Sequence, residues 1–188
     1  IALFLEIFKE KERKKIYKAL LDSCVEELPL IHLRDDMTKE EIEFLDDNFN
    51  CSCFNIHESH FRILKKWKGF YKKLYLEMNV DNFIPKQVDV SKVGGFCIDL
   101  SHFKVQEKKF SEEFKYIMKR KNINRYFFCN HLNGYSYERN CDLHTVNSLK
   151  DFDYLKELPE FIFSDIIGIE VFNGVKEQLK FKKYLTKM

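Results

Sequence analysis

The sequence is short of several things, and each shortage narrows what the chain can be. Three prolines and six glycines are scattered over 188 residues. That is too few to build a flexible hinge, so one domain over 1–188 is expected. No apolar run approaches the roughly 18 residues that a membrane span needs, and no secretory signal is visible. A membrane protein is therefore not expected, and a cytoplasmic one is. Charge of one sign is also missing, with 32 basic against 30 acidic residues and a net charge of +2. Such a balance is not the footprint of a protein held on nucleic acid by bulk charge, though a local basic groove stays open. The six cysteines are scattered. Cys51 and Cys53 lie two apart, but no second pair completes a zinc ribbon, so free thiols in a reducing compartment are expected. No glycine-rich phosphate loop follows the first apolar run, which weakens a nucleotide-binding reading.

What is there is a core and a rhythm. Hydrophobic residues make up 45% of the chain and aromatics 15%, including 19 Phe, which excludes a disordered chain. Apolar strand-like runs alternate with charged helical stretches. ALFLEIF (2–8) precedes KEKERKKIYKALLDSC (9–24), and LPLIHLRDD (28–36) precedes TKEEIEFLDDNF (38–49). CSCFNIHES (51–59) leads to HFRILKKWKGFYK (60–72), and KLYLEMN (73–79) to a stretch around 83–93. GGFCIDLSH (94–102) leads to SEEFKYIMKRKNI (111–123), RYFFCNHLNGY (125–135) to SLKDFDYLKELPEF (148–161), and IIGIEVF (166–172) to NGVKEQLKFKKYL (173–185). Thr38 and Glu41 form a capping-box pattern. Seven β-then-α units imply a parallel sheet covered by helices. The expected fold is α/β, a (β/α)8 TIM barrel complete or lacking one unit, with a long doubly wound sheet as the alternative.

The polar residues fall at particular places. Six strand-like runs carry His, Glu or Asp at or near their C-terminal ends: His32, His57, Glu77, Asp99 with His102, His131, and Glu170. Asp142 and His144 follow in a loop, two apart and so on one side of an extended segment. Taken singly, each has an ordinary explanation, such as a satisfied loop histidine or, for Asp99, a helix cap. Jointly they are harder to dismiss, because the C-terminal ends of barrel strands converge on one face. Unpaired carboxylates gathered there repel each other, and a divalent cation removes the repulsion. Imidazole mixed with carboxylate suits Zn²⁺, Mn²⁺ or Fe²⁺ better than Mg²⁺ or Ca²⁺, and Zn²⁺ or Mn²⁺ is the expected cofactor.

These motifs resemble the xylose isomerase-like TIM barrels, and among them the endonuclease IV branch. CIDLSH (97–102) resembles that family's Cys-Ile-Asp-x-x-His strand, HLN (131–133) its His-Leu-Asn strand and CDLH (141–144) its Asp-x-His loop. YLEMN (75–79) resembles the bridging-glutamate strand, IGIEVF (167–172) the last strand, and NIHESH (55–60) and LPLIHLRDD the earlier histidine turns. The match runs from the family's second strand to its eighth, which implies a barrel without the first. It implies one to three metal ions. Glu77 would bridge two, His32 and His57 would hold the first, Asp99, His131 and Glu170 the second, and His102, Asp142 and His144 a third. The chain departs from the nuclease branch at Met78, Gly134, Leu143 and Glu58, where that branch has Asn, Asp, Arg and a Pro-Gly. Its gaps between motifs are also shorter, in loops that usually carry specificity.

Two functions follow from these residues. The first is metal-dependent phosphodiester hydrolysis, with damaged DNA among the substrates. Glu77, Glu170 and His102 would be catalytic, and Arg34, Lys104 and Arg139 would bind phosphate. The second is isomerisation or epimerisation of a small sugar or sugar phosphate. There one ion on Glu77, Asp99, His131 and Glu170 polarises sugar oxygens, and Glu77 or Glu170 moves the proton. His102 and Arg139 would then bind the sugar. A degenerate barrel without catalysis is a third reading. Trp67, Phe70 and Tyr71 are expected to pack a helix on the barrel, 9–15 to be a solvated helix face, and His60 to face solvent.

Overall fold

The computed structural model describes residues 1–187. Seven short strands run parallel in sequence order: β1 (Ala2–Phe4), β2 (Leu30–His32), β3 (Cys53–His57), β4 (Leu74–Glu77), β5 (Gly95–Asp99), β6 (Phe127–Leu132) and β9 (Ile166–Ile169). A small antiparallel hairpin, β7 (Gly134–Ser136) with β8 (Cys141–Leu143), is inserted between β6 and β9. The regular helices are α1 (Glu10–Leu21), α2 (Lys39–Phe49), α3 (Leu100–Lys109), α4 (Glu112–Met118) and α5 (Val175–Leu185). No helix is long and apolar enough to cross a membrane.

The sheet curls until its edges nearly meet. A Cβ on Gly168 of β9 would stand 3.0 Å from Ala2 Cβ and 2.8 Å from Leu30 Cδ2, so the last strand has come round to the first two. Phe4 of β1 packs edge-on against His131 of β6 with ring centroids 5.0 Å apart. Among the described residues, β1 and β9 share no ladder. The architecture is thus a TIM-like barrel of seven strands, nearly closed.

Its interior is two layers deep. Leu30, Cys53, Tyr75, Cys97 and Cys129, with Ala2 and Ile166, form a separate apolar cluster to which every barrel strand gives one residue. Side chains two apart on a strand share a face. The residue two positions on in each strand is Phe4, His32, Asn55, Glu77, Asp99, His131 and Gly168. A plug of apolar groups and thiols therefore floors the barrel, and a polar layer sits on it toward the strand C-termini. All six cysteines are free, and burial pushes the Cys97 thiol up to about 12, leaving it neutral filling.

Outside the sheet the expected units are partly irregular. The stretch 60–72 is not an α-helix: Glu58–Trp67 winds as a 3-10 helix, as does Leu149–Glu157. The 3-10 repeat is three residues, and Phe61, Leu64, Trp67 and Phe70 recur at that spacing. Leu64 and Trp67 are buried against the sheet. Between β4 and β5 only a single 3-10 turn, Val90–Lys92, replaces the helix of that unit. The solvated face expected over 9–15 has one exception. Arg13 is 1% exposed and joins α1 to α2 through Glu41 and Asp36.

Candidate metal centre

All nine side chains singled out as ligands stand at the C-terminal mouth of the barrel, in four groups, three of them linked by shared members, and within each group the ligating atoms lie within 4.8 Å of one another. Glu77, Asp99, His131 and Glu170 form the deepest, and His32, Glu77 and His131 a second that shares two members with it. His102, Asp142 and His144 form a third. Glu6, His32 and His57 form the fourth, and Glu6 is a member that strand-end reasoning missed.

Glu77 is the hub. It is the last residue of β4 and is 2% exposed. Its Oε2 lies 3.0 Å from His131 Nδ1 and 3.2 Å from His32 Nε2, and it accepts a hydrogen bond from Asn55 Nδ2 at 3.0 Å. His131 Nδ1 is also 3.0 Å from Glu170 Oε2. Glu170 follows β9, held there by its backbone N–H donating to Leu132 O at 2.8 Å. Asp99 does two jobs at once. Its Oδ1 caps α3 by accepting from His102 N at 2.8 Å and Ser101 Oγ at 3.0 Å, while Oδ2 accepts from Asn133 Nδ2 at 3.0 Å. The cap puts His102 in the first turn of α3, with Nε2 3.7 Å from Asp99 Oδ2 and 4.0 Å from Asp142 Oδ2. Asp142 lies on β8 and His144 just beyond it, with Oδ2 and Nε2 3.2 Å apart. The hairpin thus delivers this pair over the barrel mouth. Asn55 and Asn133 were not singled out from the sequence, although Asn55 lies two before His57 on the same inward face.

The other expected site residues are spread differently. Arg34 is close, with its Nη1 donating to Glu6 O at 2.9 Å and its Nε 3.4 Å from Asp36. Lys104 is almost buried on α3, with Nζ 2.7 Å from Glu107 and 2.9 Å from Glu157. Arg139 is exposed in the turn between β7 and β8. His60 is half-buried and belongs to none of the four groups.

The electrostatics of the site are set by burial and by close pairing of carboxylates with imidazoles. Burial opposes charge on Glu77 and His131, but each outweighs it for the other, holding the carboxyl well below and the imidazole well above its ordinary range. Burial also opposes charge on Glu170, where His131 prevails and keeps the carboxyl low. At Asp99 burial wins and raises the carboxyl. Burial disfavours His57 as a cation, yet Glu77 and Glu6 lift it to about 9. The Asp142–His144 bond draws the acid down to about 2 and the base up to about 9.

The residues present fit a divalent metal. His32 Nδ1 lies 3.0 Å from Leu33 O. A carbonyl only accepts, so Nδ1 carries the proton and Nε2 is left to face the cluster, the usual orientation of a ligating histidine. Buried imidazole nitrogens without a hydrogen-bond partner recur through the site: His32 Nε2, both nitrogens of His131, and Nδ1 of His57, His102 and His144. Buried polar atoms are rarely left this way. The four groups together hold five carboxylates and five imidazoles. With neutral rings that is five negative charges, close to what two or three divalent ions balance. Comparison with protein-family models, curated proteins and solved structures returns no match.

Proposed function

We propose that this chain is a divalent-metal-dependent phosphodiester hydrolase, similar in its centre to the endonuclease IV branch of TIM barrels. One observation carries the reading. His102, Asp142 and His144 form a ligand group beside, and separate from, the one built on Glu77. A one-ion isomerase has no use for it. Divalent ions on these groups, Zn²⁺ or Mn²⁺ by donor type, supply Lewis acidity toward a phosphate oxygen and acidify a water nucleophile. The chain supplies the rest. Asn55 and Asn133 hold the Glu77 and Asp99 carboxylates in fixed orientations. Glu170 and His102, 19% and 14% exposed, stand at the mouth, where they can accept a proton from an attacking water. Arg34, whose Nη1 donates to Glu6 O at 2.9 Å, is a cation beside the cluster for a substrate phosphate, and damaged DNA is the first substrate to try.

The test is cleavage of an abasic-site oligonucleotide and of a simple aryl phosphodiester by the Zn²⁺- or Mn²⁺-loaded chain. Cleavage is expected, falling at least ~100-fold in Asp99→Asn and in His144→Gln. An Asp99→Asn defect with His144→Gln fully active would argue against the third ligand group. Failure to cut any phosphodiester would sink the reading. One observation favours a sugar isomerase or epimerase as the second reading. Lys104 is paired with two glutamates rather than free for phosphate, which suits a neutral substrate better. Ketose–aldose exchange in place of cleavage would select it.

A further inference from the structure

The Glu77-centred resemblance leaves Glu6 without a role, yet the structure puts it in a ligand group of its own. Glu6 follows β1, and its parity with Ala2 and Phe4 turns it inward. Its place is fixed by backbone. Leu5 N donates to His32 O at 2.9 Å, continuing the ladder, and Arg34 Nη1 clamps Glu6 O at 2.9 Å. From there the carboxylate reaches two imidazoles: Oε2 lies 3.1 Å from His32 Nε2, and Oε1 lies 3.4 Å from His57 Nε2. Among the described residues, no lysine or arginine is within ion-pair distance of it.

His32 is the decisive neighbour. It is 1% exposed, its Nδ1 is committed to Leu33 O, and its Nε2 has no hydrogen-bond partner. That nitrogen nonetheless stands 3.1 Å from Glu6 and 3.2 Å from Glu77, aligned with neither for a hydrogen bond. A buried lone pair set between two carboxylates is repulsive unless a cation lies among them.

We propose that Glu6, His32 and His57 form a self-sufficient two-histidine, one-carboxylate metal site, which keeps its ion without Glu77 as a bridge. Such a donor set suits Zn²⁺ or Fe²⁺ and leaves open coordination positions, as catalytic sites do. Glu6 is 42% exposed, so the site opens to solvent on its side, and an ion there ties the edge strand β1 to β2 and β3. The inference rests on the cluster being a metal centre, not on what it hydrolyses.

The probe is Co²⁺ added to chelator-stripped chain, read by elemental analysis, by competition with a chromophoric chelator, and by the visible d–d spectrum. Glu6→Gln should lose one ion's worth of binding, or weaken it at least ~100-fold, beyond the usual effect of an outer partner. Asp99→Asn should keep that ion and its spectral bands. Glu6→Asp, which retains a shorter carboxylate, should fall between wild type and Glu6→Gln. Circular dichroism on each variant separates ligand loss from misfolding. An unchanged stoichiometry, affinity and spectrum in Glu6→Gln overturns the proposal, as does a wild-type chain that takes up no Co²⁺. If Glu6→Gln loses its ion while wild type cuts no phosphodiester, the hydrolase reading fails and the Glu6 site stands. If wild type cuts and Glu6→Gln still binds its full complement of Co²⁺, the hydrolase stands and the Glu6 site fails.

Discussion

At the scale of single residues, the centre stores its charge as ion pairs that a metal must displace. His57 and His144 are raised to about 9 and Asp142 is lowered to about 2 in the metal-free chain. At pH 7.5 both histidines therefore carry protons that coordination has to expel. Loading with Zn²⁺ is expected to release about two protons per chain from these residues, and the metal affinity to fall steeply below neutral pH. Calorimetry in buffers of different ionisation enthalpy measures the release. No release at pH 7.5 would mean that these imidazoles are not ligands. The signs for folding follow from the same shifts. A raised histidine stabilises the metal-free chain fully below about 6.5, and that support is lost as pH rises through about 9. The lowered Asp142 contributes above about 3.8, and its support is lost as pH falls through about 2. Denaturant midpoints of the stripped chain across pH trace both edges. At this scale the sequence was readable wherever a polar residue ended a strand run. Glu6 was harder because it sits between Leu5 and Ile7 in a run that reads as uniformly apolar, and only its alternation with Ala2 and Phe4 marks it.

Among the elements, α1 and α2 depend on one glutamate. Thr38 caps α2 as its sequence pattern indicates, with Oγ1 accepting from Glu41 N at 3.3 Å and Glu41 Oε2 accepting from Thr38 N at 3.1 Å. The same Glu41 also receives Arg13 Nε at 2.9 Å, Arg13 Nη2 at 3.0 Å and Tyr17 Oη at 2.9 Å. Removing only the cap, by Thr38→Ala, is expected to cost about 1 kcal/mol. Glu41→Ala strips two of the four hydrogen bonds from a buried guanidinium and is expected to cost about 3 kcal/mol. Urea unfolding of the two variants checks the difference, and equal losses would show that the interhelix pairing adds nothing to the cap. The capping box was legible because it is local. The Arg13 pairing was not, since a basic residue in a run of charges reads as solvated until a second helix is laid against it. The 3-10 segments were hidden differently. Phe152, Leu155 and Leu158 repeat every three residues, as do Phe61, Leu64 and Trp67, and a helix of 3.6 residues per turn fits such short runs almost as well.

For the molecule as a whole, the two-layer barrel sets apolar floor and polar mouth two residues apart on the five strands β2 to β6, while on β1 and β9 the polar residue, Glu6 or Glu170, comes four positions on. That spacing is why the barrel and its ligand ring could be read together. It also makes the stability of the barrel mouth responsive to any ion that these residues hold. The polar layer joins β1, β2, β3, β4, β5, β6 and the β9 exit through groups that repel when the rings are neutral. Ions bound there would hold together strands that are only three to six residues long. An ion that binds only the folded chain adds about 2.7 kcal/mol when present at a hundred times its Kd. For a domain of this size, that corresponds to a rise in Tm of roughly 5–10 °C per site. Thermal melts with Zn²⁺ or Mn²⁺ against chelator should show such a rise, larger for wild type than for Asp99→Asn. The gain should shrink as the pH is lowered below neutral, where protons compete for the imidazoles. A Tm indifferent to both metal and chelator would mean that the ion pairs, not cations, hold the mouth together.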